Sequence, residues 1–68
     1  MDEAISQFER AIQLNPNDSF AHNYLGIALR QKGRYAEAIA QFQEVLRLEP
    51  GNAFAQQNLN TTLGMKGR

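Results

Sequence analysis

The stretch from His22 to Pro50, HNYLGIALRQKGRYAEAIAQFQEVLRLEP, decides the fold. Its apolar residues return every three or four positions, at Tyr24, Leu25, Ala28 and Leu29 before Gly33, and at Ala38, Ile39, Phe42, Val45 and Leu46 after it. That spacing is one face of an α-helix, so the stretch reads as two amphipathic helices. Gly33 divides them. It follows Lys32 at a helix end, where glycine takes a positive φ without a Cβ penalty and a last-turn cation suits the dipole. Pro50 stops the second helix, having no N–H to donate and pushing the residue before it out of the helical region.

The remainder of the chain copies parts of this stretch. A shift of 34 residues lays Glu3 on Glu37, Ala4 on Ala38, Ile5 on Ile39, Phe8 on Phe42, Leu14 on Leu48 and Pro16 on Pro50. The same shift pairs Phe20 with Phe54, Ala21 with Ala55, Leu25 with Leu59, Leu29 with Leu63 and Gly33 with Gly67. A fixed period of that size marks a repeat architecture. With Leu25-Gly26, Leu29, Ala38-x3-Phe42 and Pro50 at their spacings, the chain closely resembles the tetratricopeptide repeat family over its whole length. His22 stands in the slot where that family often has Trp, and Leu29 in the Tyr slot. In the second copy Gln56 and Asn60 replace Trp and Gly. The resemblance implies an all-α fold, a right-handed α-solenoid segment of four antiparallel helices. Its parts are a second helix at 2–14, a full hairpin at 19–49 and a first helix at 53–66.

Local signals agree with that order. Ala4, Ile5, Phe8, Ala11 and Ile12 form one helical stripe, with Asp2 and Glu3 at the favourable dipole end. Asn15-Pro16-Asn17 ends it, and Asp18 or Ser19 supplies the cap oxygen for the next helix. Gly26 lies inside that helix, where glycine costs about 1 kcal/mol relative to alanine, so a close helix approach is expected there. Glu49-Pro50-Gly51-Asn52 makes the next turn, and the last helix carries Ala55, Leu59 and Leu63 before Gly67, with Leu59 and Leu63 expected to expose apolar surface at an open end.

Composition narrows the function. In 68 residues there is no cysteine, so disulfides and thiolate metal sites are excluded. Seven basic and seven acidic residues balance, and nothing in that balance recruits nucleic acid or an anionic membrane. No apolar run approaches the roughly 20 residues needed to span a bilayer, and the N-terminus shows no signal pattern. Met1 falls in the slot that Tyr35 fills one period later, which suggests a piece of a longer array.

Catalytic chemistry is poorly marked. His22 has Ser19 and Asp18 three and four residues before it, but both fall where caps are needed and no nucleophile turn accompanies them. One histidine with scattered carboxylates offers no metal ligand set, no cofactor motif is present, and the chain is expected not to be an enzyme. Arg30, Lys32, Arg34, Lys66 and Arg68 gather toward one edge, read either as solvated turns or as an anion-facing edge.

What remains is a groove. Phe20, Asn23, Ile27 and Arg30 recur at helical spacing off the core stripe, as do Phe54, Gln57, Thr61 and Gly64 one period later. In the family that the chain resembles, the first helix of each hairpin lines a concave surface. The resemblance therefore implies that these residues, with Asn58, face a protein or peptide ligand. Phe20 and Phe54 keep a second reading, as covers for the turns at Pro16 and Pro50. Members that clamp acidic chaperone tails use Lys, Asn and Arg at slots that hold Asn23, Tyr24, Ile27, Phe54 and Asn58 here, so that ligand is not expected. The alternative to a peptide groove is a structural spacer whose copies stack head to tail, Leu59 and Leu63 of one chain against Phe8 and Ile12 of the next.

Overall fold

The computed structural model describes residues 2–67, with side chains from Glu3 onward. Its helices are α1 (Asp2–Leu14), α2 (Ser19–Gln31), α3 (Tyr35–Leu48) and α4 (Ala53–Lys66), and the described residues contain no strand. The expected contribution of the Asp2 carboxylate, and the place of Arg68 at the basic edge, lie outside the described side chains.

The turns follow from their residues. Asp18 caps α2 by accepting the Ala21 N–H at 3.1 Å, and Asn52 caps α4 by accepting the Ala55 N–H at 2.9 Å. At the end of α2 the Gly33 N–H reaches the Arg30 carbonyl and the Arg34 N–H reaches the Leu29 carbonyl, both at 2.9 Å. Such a crossed pair requires a left-handed residue, and Gly33 has φ of 80°.

Each helix packs against the next in sequence, and α2 also touches α4, while α1 meets α2 alone. The result is a slab of 34 × 28 × 14 Å rather than a closed bundle. It is an all-α, four-helix segment of an α-solenoid, each helix antiparallel to its neighbour.

The core is centred on the α2–α3 hairpin, where Phe42, Ala38, Leu25, Ala28 and Leu29 are buried. Gly26 shows why glycine stands inside a helix. A Cβ there would lie 2.6 Å from a ring carbon of Phe42, so only a bare Cα lets the ring seat against the α2 backbone. From α1, Ile5 is buried in this cluster and Phe8 and Ile12 pack on its edge; from α4, Leu59 does the same.

One expectation about which stripe faces inward is corrected, that of Tyr24 on α2. On α4 the buried residues are Ala55, Asn58 and Thr62, whereas Leu59 is half-buried and Leu63 is 49% exposed. The helix nestles against α3 and α2, with Leu59 on the edge of the core and Leu63 toward solvent. Tyr24, expected among the inward residues of α2, is exposed at 36%. It lies one turn after Phe20 on an outer ridge, and its ring leans on that of Phe20 with centroids 4.5 Å apart.

Candidate binding face

The helices α2 and α4 run side by side in the same direction and share one face of the slab. Aromatic rings occupy the ends of both helices where the chain enters. Phe20 is 67% exposed and Phe54 is 47% exposed. Tyr24 joins them, its centroid 4.5 Å from Phe20, 6.3 Å from Phe54 and 5.9 Å from Phe8 on α1. Separations of 4.5–7 Å suit stacked and tilted ring pairs, so the rings hold one another while leaving their outer faces to solvent.

Of the sequence-predicted groove residues, Phe20, Phe54, Gln57 and Thr61 are exposed, and Ile27 and Arg30 are half-buried. Asn23 and Asn58 differ. They are 4% and 8% exposed, so both amides, expected to face a ligand, lie below the surface in this geometry. Asn58 lies on the buried line of α4, in its cleft against α2 and α3. Each amide also carries an unpartnered buried atom, Oδ1 in Asn23 and Nδ2 in Asn58.

Arg30 crosses the cleft. Its Nη1 donates to Asn58 Oδ1 at 3.3 Å and to Thr62 Oγ1 at 3.4 Å, both long for an N–H···O bond. The Thr62 hydroxyl in turn donates to the Asn58 carbonyl at 2.7 Å. Sequence reasoning missed Thr62. The available signal was its position four residues after Asn58, where a threonine hydroxyl can bond back along its own helix.

The residues that suggested a catalytic arrangement are engaged in holding turns. His22 is buried; its Nε2 donates to the Pro16 carbonyl at 2.8 Å and its Nδ1 meets the Gln41 side-chain amide at 2.7 Å, tying the first turn to α3. Asp18 caps α2. The Glu49 carboxyl is held below the usual range chiefly by the Asn52 amide, with Ser19 as a second donor. Glu44 is lowered likewise, chiefly by its hydrogen bond from Arg47. The described residues contain no group of three metal-ligating side chains, and no described helix is long and apolar enough to cross a membrane.

A short antiparallel row of helices with a 34-residue sequence period, and at Gly26 a glycine under an aromatic ring, defines the class of α-solenoid repeat proteins. The family profile described as Tetratricopeptide repeat matches residues 1–53, and the chain belongs to that family. Repeats of this family generally mediate protein–protein interaction and are non-catalytic. No curated protein matches the chain.

Proposed function

We propose that the α2–α4 face is a peptide-binding groove and that the protein recognises a protein partner through it. One observation carries this reading: Phe20 and Phe54, one period apart on equivalent helices, are both largely exposed on the same face. Clustered exposed aromatics are costly on a surface with no partner and serve as anchors on one that has a partner. Ile27 and Thr61 extend the floor between the rings and the helix ends, and Gln57 offers an amide to an extended backbone.

The test begins with peptides selected by display against the immobilised protein, followed by a nitrogen–proton correlation titration. Groove binding moves resonances on α2 and α4 and spares the outer face of α3, and Phe20→Ser with Phe54→Ser weakens binding at least tenfold without loss of helicity. Shifts confined to α1 or α3 would remove the reading.

Stacking of copies, the second reading, meets a steric obstacle. The 34-residue shift carries Gly26 to Asn60 and Phe42 to Phe8, so a copy whose α1 docks on α4 as α3 docks on α2 would set Phe8 against Asn60. A Cβ at the equivalent site would stand 2.6 Å from the ring. Asn60→Gly removes that obstacle. If self-assembly is what the α4 face serves, the parent already sediments as an oligomer; the groove reading expects a monomer, with association appearing only in the Asn60→Gly variant.

A further inference from the structure

The groove has two chemically different ends. Phe20, Tyr24 and Phe54 cluster where α2 and α4 begin; Arg30 and Lys66 lie where they end. Neither helix contains an acidic residue, while Glu3 and Glu9 are on α1 and Glu37 and Glu44 are on α3. A balanced chain has therefore placed its helical acids on the other two helices and left the groove helices with cations only. Among the described residues Arg30 meets no carboxylate, whereas Arg34 is paired with Glu37 and Arg47 with Glu44. Its acceptors are the neutral oxygens of Asn58 and Thr62, at long distances, and both bonds use Nη1 alone. The same Asn58 amide holds a buried donor, Nδ2, with no acceptor. The nearby carboxylate, Glu37 on α3 beside Lys66, is taken by Arg34 at 2.7 Å, so what the α2 and α4 surfaces offer at this end is donors, the condition in which a guanidinium takes a carboxylate.

Building on the groove reading above, we propose that the ligand is an extended peptide segment with two determinants, a large apolar side chain on the Phe20–Tyr24–Phe54 shelf and a Glu or Asp side chain on Arg30. The geometry fixes their separation. Phe20 and Arg30 are ten positions apart on one helix, about 15 Å at a rise of about 1.5 Å per residue. An extended peptide covers that in four or five residues, at about 3.3 Å each.

The probes are acetylated, amidated, fluorescein-labelled peptides in which Phe and Glu stand four residues apart in a Ser/Gly chain, made in both orders, with Gln-for-Glu partners and with Phe and Glu adjacent. Anisotropy titrations at low salt expect one order of the Glu peptide to bind at least fivefold tighter than its Gln partner, with the advantage lost when the two residues are adjacent. Arg30→Gln brings that ratio to one while leaving the Gln peptide's affinity unchanged, and Arg30→Lys keeps part of it. Circular dichroism checks that both variants stay helical. Equal binding of Glu and Gln peptides, mapped to α2 and α4, overturns the two-determinant ligand and leaves the groove standing. Binding of no peptide, or shifts elsewhere on the slab, overturns both. Tighter capture of a labelled decauridylate, lost in Arg30→Gln, overturns the peptide ligand in favour of a single-stranded nucleic acid.

Discussion

The helices α2 and α4 occupy the same place in successive periods, yet they are held in different ways. In α2, seven residues are buried, including Gly26 beneath the Phe42 ring and His22 with both ring nitrogens engaged. In α4 only Ala55, Asn58 and Thr62 are buried; Asn60 stands in place of Gly26 and Gln56 in place of His22. The difference follows from neighbours. Flanking helices on both sides make α2 sensitive to every atom, whereas α4 is seated in one cleft and tolerates polar residues along its other side.

The largest expected effect lies in the ring that joins the two sides of the hairpin. Phe42→Ala removes a fully buried phenyl group, a loss of about 3–5 kcal/mol, and in a unit this small the thermal transition followed by circular dichroism should disappear at room temperature. A variant that melts like the parent would mean that the core is elsewhere.

Next comes the contrast at equivalent sites. Gly26→Ala should lose roughly 1–3 kcal/mol by overpacking against Phe42, despite the better helix propensity of alanine. Asn60→Ala, exposed on α4, should stay within about 0.5 kcal/mol of the parent. Equal responses in urea denaturation would erase the distinction drawn between the two helices.

A smaller pair sharpens the same point. His22→Ala strips the Pro16 carbonyl and the Gln41 amide of a part-buried partner and should lose about 1–3 kcal/mol. Gln56→Ala breaks only an exposed bond to Asn60 and should change stability by less than about 0.5 kcal/mol. Melting temperatures of the two variants decide it.

The smallest effect is electrostatic. The carboxyl groups of Glu44 and Glu49 are both held below their ordinary value of 4.5, so the stability they add is present above that value and lost as pH falls through their lowered folded values. Glu49 is exposed and Glu44 is half-buried at the surface, and salt should screen most of the effect. Melting curves of the parent and of Glu44→Gln should differ slightly at neutral pH and converge under acid; a gap that widens under acid would contradict the assignment.

How much of this was legible depended on the residue. The positive φ of Gly33 and the close approach at Gly26 each follow from one residue type at one position, and sequence reading reached both; for the α2 cap it left Asp18 and Ser19 open, and the structure has Asp18. The exposure of Tyr24, the burial of Asn23 and Asn58 and the part played by Thr62 were not legible. Periodicity distinguishes opposite faces of a helix well but adjacent stripes poorly, since neighbouring positions differ by about 100° and a shallow cleft can select either. Recognising Asn58 and Thr62 as buried required knowing that Arg30 reaches over from α2 to cover them.

By itself the sequence determined the helices, their stops, the 34-residue period and the family, because these rest on local sterics, capping and repetition along the chain. Only the tertiary structure decided which polar groups are sealed between α2 and α4, which rings stand open and that, among the described residues, Arg30 meets no carboxylate. Those outcomes depend on contacts between helices distant in sequence, and burial is a property of the assembled slab rather than of any single segment.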